Sequence, residues 1–534
     1  MPSTHPRTTR APSHAAPVAR VARHPLAAAL AAAVLLGGAA ESATPGRGKG
    51  VEDAVVEKFR ERNGGVFSEW PQPRAVIVVT GELDGYIEPC GCTGKENQKG
   101  GLSRRQNFLR ALEDAGWPVV AVDLGGQVKR FGRQSEAKFQ SIVDGLRAMR
   151  YAAVGFGPGD LRLPAEELVA AVAPVGDQPT PFVCANVGLL GLDANITPRF
   201  RVIDVGGVKL GVTSVLGDKE AAQIRNDDVE IAPAAASLAT AAGELAKAGC
   251  AHQILLSWSA AEETRALAAK HAQFDLVVTA GGADEPPLEP AKLPGGGRLI
   301  ELGHKGMFAV VIGLFDDRQT PLRFQRVPLD ARWGESPDMI AVLATYQGKL
   351  ETLGLKGLGI APIRHPSGRR FAGSAACAEC HQHAFDIWKD TPHATALTTL
   401  EEQKPRRDGD PECLSCHVVG WAPQRFEPFE GGFASVATTP QLAHQGCENC
   451  HGPAAAHTAV ERGDVKASVV ERDRLRQELV LTLATAEGKQ RVVNNCLECH
   501  DLDNSPQFDF DTYWPQVEHD DPATPAKKPA AASP

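Results

Sequence analysis

Between residues 73 and 330, short apolar runs alternate with stretches whose apolar positions recur every three to four residues. Ala75–Thr80, Val119–Asp123, Tyr151–Gly155, Pro181–Ala185, Leu210–Ser214, Gln253–Ser257 and Leu276–Ala280 have the length and character of buried strands. Ser135–Arg150 and Ala235–Ala248 lie between them with helical apolar spacing. This alternation predicts an α/β domain. Arg298–Leu302 and Phe308–Leu314 follow without intervening helices, which predicts an antiparallel or mixed second sheet. Met339, Val342, Leu343, Tyr346 and Leu350 set a helical period over Ser336–Leu355, a helix bridging this domain to the next.

The pattern marks further segments. Residues 1–43 carry Arg7, Arg10, Arg20 and Arg23, then the apolar run Leu26–Leu36, then small residues through Ala43: a secretory signal. No Cys follows it to take a lipid. Residues 44–72 are a linker or helix, 73–330 the α/β domain and 331–369 a helical linker ending in a basic connector. Residues 370–519 form a second domain, and 520–534 are a Pro- and Ala-rich disordered tail. No uncharged apolar run reaches the roughly 18–20 residues of a membrane span. Membrane association, if any, is through a partner.

The second domain holds the chemistry. Cys-x-x-Cys-His occurs four times, at Cys377–Cys380–His381, Cys413–Cys416–His417, Cys447–Cys450–His451 and Cys496–Cys499–His500. Chance supplies about 0.01 such matches in a chain of this composition. The pattern is the attachment site of c-type haem. Two thiols add to the vinyl groups on one porphyrin edge, and the adjacent His ligates iron from the proximal side. A zinc ribbon gives no reason for a His after every pair. The reading is four haem c groups, packed close enough to conduct electrons, in an oxidising exported compartment such as a periplasm. The net charge of −9 offers no nucleic-acid surface and suits redox partner proteins that are basic.

Residues 370–519 resemble the tetrahaem cytochrome c family that carries electrons from hydroxylamine oxidation. The matching residues are Gly373-Ser374 before Cys377, Trp388 with Pro392-His393, Cys413 through Gly420 with Gly431-Gly432-Phe433, Gly446 through Pro453 with His457, and Cys499-His500-Asp501 with Tyr513-Trp514. The resemblance implies that His393 and His457 are distal ligands to haems other than their own. His519 is a third candidate, and His383 and His444 are two more. It also implies that one haem can stay five-coordinate. The alternative function is then an oxidoreductase acting on a small nitrogen or sulfur compound at that open haem.

The first domain resembles calcineurin-like metallophosphoesterases, within them the 5′-nucleotidase group. Thr80-Gly81-Glu82-Leu83-Asp84-Gly85 stands at the first Asp-x-His, Gly100 through Arg105 at Gly-Gly-Leu-Ala-Arg, and Asp123-Leu124-Gly125-Gly126 at Asp-Ala-Gly-Asp. Gly157-Pro158-Gly159-Asp160 stands at Gly-Asn-His-Glu, Ser257-Trp258 at Ser-His and Gly281-Gly282-Ala283 at Gly-Gly-His. Two-metal hydrolysis needs carboxylates and imidazoles. Gly126, Pro158, Gly159, Trp258 and Ala283 cannot supply them, leaving Glu82, Asp84 and a neighbouring Glu285. The expectation is a retained fold without a dimetal centre; a phosphoesterase carrying haems is the third alternative. Cys90-Gly91-Cys92, in the loop after the first strand, and Cys184, expected to open onto the same cleft, form a candidate thiol site that replaced the metals. A structural disulfide among Cys90, Cys92, Cys184 and Cys250 is the other reading. The fold class is thus an α/β metallophosphoesterase-like sandwich plus a mainly α, low-secondary-structure tetrahaem cytochrome c domain.

Overall fold

Val, Ile and Leu runs with every side chain buried, such as Ala75–Thr80, belong to sheets covered on both faces. The computed structural model places them so. It describes residues 66–89, 98–191, 196–502, 504–505 and 508–519. The signal segment, Cys90, Cys92 and the tail lie outside the described residues.

Strands β1 (Ala75–Thr80), β2 (Val119–Asp123) and β3 (Ala153–Val154) are parallel neighbours in that order. Two short strands, β4 (Val187–Leu189) and β7 (Val229–Ile231), pair with each other. A six-stranded sheet is built from β5 (Arg201–Val205), β6 (Val208–Leu216), β8 (His252–Trp258), β9 (Leu276–Thr279), β10 (Ala291–Lys292) and β11 (Arg298–Glu301). Strands β12 (Phe308–Leu314) and β13 (Leu322–Pro328) complete the five-stranded sheet, ordered β13-β12-β1-β2-β3. Both sheets are mixed: β12 runs antiparallel to β1, whereas β11 runs parallel to β9.

The two sheets pack face to face through Ile77, Val79, Val122, Val212, Ile254, Leu256, Val278 and Ile312. The outer face of the five-stranded sheet carries helices Leu102–Asp114 and Arg133–Ala148. That of the other carries Ala234–Lys247 and Ala261–Lys270. The result is a four-layer α/β sandwich. Helix Pro337–Gly357 buries Met339, Leu343, Tyr346 and Leu350 against the first helical layer, so the bridging helix is part of the sandwich.

One expected strand is corrected. Pro181–Ala185 is buried but forms no ladder. Val183 N bonds Val154 O, Cys184 N bonds Pro198 O, and Ala185 N bonds Ser214 O. Each residue answers a different segment, and Pro181 has no N–H to give.

Residues 374–516 are short helices with little sheet. Their apolar core is a small cluster including Leu397, Leu414, Val418, Trp421, Phe433 and Leu442. Among the described residues, no helix is long and apolar enough to cross a membrane.

Candidate functional site

Each Cys-x-x-Cys-His folds as one helical turn. Cys413 and Cys447 lie in helices Pro411–His417 and Cys447–His451. In the first and fourth copies the His amide reaches back to the first Cys carbonyl, at 2.8 Å (His381) and 2.9 Å (His500). Positions i, i+3 and i+4 share one helix face, so both thiols and the imidazole meet one surface.

The fold then brings six imidazoles together in pairs. Ring centroids are 6.4 Å apart for His381 and His457, 6.1 Å for His393 and His500, and 5.7 Å for His451 and His519. Two imidazoles bound to one metal at about 2 Å have centroids roughly 6 Å apart. The pairs are too far apart to stack and are spaced for one iron between them.

The ring orientations fit the same role. Nδ1 of His417 faces Ala396 O at 2.6 Å, that of His451 faces Leu479 O at 2.8 Å, and that of His519 faces Val517 O at 3.0 Å. An Nδ1–H given to a carbonyl leaves Nε2 bare, the tautomer a metal needs. Burial lowers the pKa of His417, His451, His457 and His500; it lowers that of His393 to about 4, helped by His500 and His417. These rings are neutral at pH 7 and keep a lone pair.

The other two candidates differ. His383 is exposed on helix Gln382–Lys389, near Asp386. His444 Nδ1 accepts from Leu397 N at 3.2 Å.

Thiols of different copies also meet. Cys377 lies beside Cys447, Cys416 beside Cys499, and Cys450 near Cys496. Glu448, inside the third copy, is buried and accepts from the amides of Ala372, Gly373 and Ala454. It ties the segment entering the first copy to the segment leaving the third. Sequence spacing gave no sign of this carboxylate; only its place between Cys447 and Cys450 marks it.

The segment before Cys413 is gripped by the sandwich. Asp410 caps helix Pro411–His417 and accepts from Gln134 at 2.8 Å and Gln347 at 2.9 Å. Lys138 and Arg130 pair with Glu412, at 2.5 and 3.4 Å. Glu88 pairs with Arg407.

The second candidate site lies where β1, β2, β3, β8 and β9 end, the rim at which parallel sheets bind ligands. Glu82 and Asp84 lie on the first loop with left-handed φ of 48° and 56°. Their amides bond Gly125 O and Gly126 O, at 2.9 and 3.0 Å. Glu82 accepts from Gly281 N at 3.1 Å; burial raises its pKa to about 7. Asp160 is fully buried, accepts from the amides of Gly126, Val128 and Gly157, and is likewise raised to about 7 by burial. Asp123 is bonded to Thr80, Arg105 and Gln127. Glu285 pairs with Lys99 and Arg326.

Over this rim lies the indole of Trp258. A Cβ built on Gly126 falls 2.2 Å from Trp258 Cη2. No side chain fits at 126 while the indole is there. Among the described residues, no group of three His, Cys, Asp or Glu is arranged to hold a metal ion. Cys184 is corrected: it is 1% exposed, its thiol donates to Asn186 at 3.4 Å, and burial raises its pKa. It lies in the core and opens onto no cleft. Cys250 is partly exposed and, like Cys184, a free thiol.

The C-terminal region thus carries paired imidazoles together with four thiol-bearing helical turns. Residues 376–452 match the family described as cytochrome c554 and c-prime. Cytochrome c-554 of Nitrosomonas europaea is 34% identical over 96 residues, 16% of this chain and 38% of that protein. The chain therefore covers well under two thirds of that relative. Among solved structures, the N-terminal region is similar to a 5′-nucleotidase precursor from Thermus thermophilus, at 17% identity and TM-score 0.43, covering 52% of this chain and 59% of that one. It is also similar to the sulfate thiohydrolase SoxB of Thermus thermophilus, at 14% identity and TM-score 0.44, covering 53% and 62%.

Proposed function

We propose that this chain is an exported electron carrier with four covalently attached haem c groups. When bound, each haem supplies an iron that accepts and releases one electron. The observation that carries the reading is the three imidazole pairs at 5.7–6.4 Å. His381, His417, His451 and His500 are the proximal ligands. His381 with His457, His500 with His393 and His451 with His519 would each hold one haem iron. Each distal ligand comes from outside the attachment motif it completes, so the fold locks the haems to one another. With Cys377 beside Cys447, Cys450 beside Cys496 and Cys416 beside Cys499, electrons would pass between the motifs in the order first, third, fourth, second.

The sandwich is a phosphoesterase-like scaffold whose dimetal site is gone. Supporting this, Gly126 and Trp258 fill as a matched pair the positions where the resemblance has Asp and His. The candidate thiols Cys90 and Cys92 remain a proposal resting on sequence alone.

The test is haem quantification on protein made in a cytochrome c-maturing host, by pyridine haemochrome and by intact mass after removal of the signal. Four haems per chain and a mass lacking residues 1–43 are the expected result. Fewer than four haems, or an uncleaved chain, overturns the reading.

A further inference from the structure

We infer that His444 is a positioning residue for the haem on His417, acting through the peptide group between Ala396 and Leu397. The inference rests on the reading of His417 as an iron ligand. His417 Nδ1 meets Ala396 O at 2.6 Å, and on the other edge of the same peptide unit Leu397 N donates to His444 Nδ1 at 3.2 Å. The two imidazoles are thus joined end to end through one amide.

The tautomer excludes the other role for His444. An imidazole bound to iron through Nε2 carries its proton on Nδ1. On His444 that proton would meet the Leu397 N–H donor to donor. Accepting at Nδ1 places the ring's proton on Nε2, so His444 offers iron nothing.

The backbone is shaped for the contact. His444 has φ 68°, in the left-handed region where a β-carbon costs about 1 kcal/mol. It is held there from both sides: Ala443 bridges Val418, next to His417, and Gln445 N bonds His393 O at 3.1 Å. Backbone strain of this kind persists where surrounding contacts fix it.

The sign of the effect follows. A hydrogen bond accepted from Leu397 N polarises the amide and makes Ala396 O a stronger acceptor. A stronger acceptor at Nδ1 makes His417 a more basic ligand. A more basic ligand favours ferric iron, so His444 holds that haem's potential down.

The test is spectroelectrochemical titration of the haem-loaded full chain as wild type, H444N and H444G, with haem content measured on each. Asn tolerates positive φ and presents an oxygen to Leu397 N; Gly tolerates the φ and presents nothing. The expected result is one midpoint shifted upward in H444G and restored to the wild-type value in H444N. Equal potentials in H444G and H444N overturn the inference, whether both are shifted or both unshifted. Conversion of a low-spin haem to high-spin in H444N also overturns it, by making His444 an iron ligand. If H444G does not accumulate, H444A takes its place as the variant that presents nothing to Leu397 N, with the same upward shift expected relative to H444N. Fewer than four haems in the wild-type protein is a different failure, that of the haem reading, and this inference falls with it.

Discussion

Replacing Glu448 by Gln removes one of two oxygens that join the segments flanking the first and third Cys-x-x-Cys-His repeats. The side chain is 3% exposed. One oxygen accepts from Ala372 N at 2.9 Å and Ala454 N at 2.8 Å; the other accepts from Ala372 N at 3.0 Å and Gly373 N at 2.7 Å. A glutamine oxygen answers one side only, and its NH2 then faces an amide N–H. Each buried donor left without an acceptor costs about 1–3 kcal/mol. Burial acts the other way. It raises the Glu448 pKa against three lowering amide bonds, so a neutral side chain recovers part of the desolvation cost. The net for E448Q is a loss of about 2 kcal/mol. Glu448→Ala, which strands three amides and leaves a void, costs about 4 kcal/mol. The assay is denaturant unfolding of the holoprotein at pH 7 followed by far-UV circular dichroism, with low-spin EPR amplitudes on the same samples. Ala372 and Gly373 lead toward Cys377, and Ala454 follows His451, so those haems lose ligation order first. Stability within about 0.5 kcal/mol of wild type for both variants, with unchanged EPR, refutes the staple.

Three shorter predictions concern the sandwich. Glu82 has a folded pKa of about 7 against an ordinary 4.5, so the folded state binds the extra proton. The stability it contributes is complete below pH ~4.5 and lost as pH rises past ~7, roughly 3 kcal/mol in all. Unfolding of E82Q, measured from pH 5 to 8, therefore depends less on pH than that of wild type; parallel curves contradict this. Gly126→Ala places a methyl 2.2 Å from the Trp258 ring and costs about 2–4 kcal/mol, whereas in a W258G background only the left-handed strain of about 1 kcal/mol remains. A double-mutant cycle with no coupling refutes the contact. Added Mn2+ gives no hydrolysis of p-nitrophenyl phosphate or AMP above buffer; metal-dependent turnover contradicts the loss of the dimetal site.

The sandwich was legible where the chain follows one rule. Ala75–Thr80 and Phe308–Leu314 are buried on both faces, so composition alone marks them. Helix Leu102–Asp114 escaped because its inward face carries Arg104, Arg105 and Gln106, which erase the apolar period. Arg105 is buried there because it meets Asp123, a partner on another strand. The edge strand Leu322–Pro328 escaped for a related reason: most of it is half-exposed and carries two arginines. The four Cys-x-x-Cys-His repeats are local in sequence and needed no fold to be found. Which imidazole faces which is tertiary, because His393 and His500 are brought together only by the folded chain. The same holds for the rim. Sequence marks Gly126 and Trp258 as two separate departures, and only the fold makes them one contact.

Low-temperature EPR of the fully oxidised holoprotein, with haem counted on the same sample, tests the ligation most directly. The account predicts low-spin bis-histidine signals integrating to at least three haems per chain. It also predicts that H393A, H457A and H519A each convert one of them to high-spin. Fewer than three low-spin haems in the wild-type protein, or no change in any of the three variants, contradicts it.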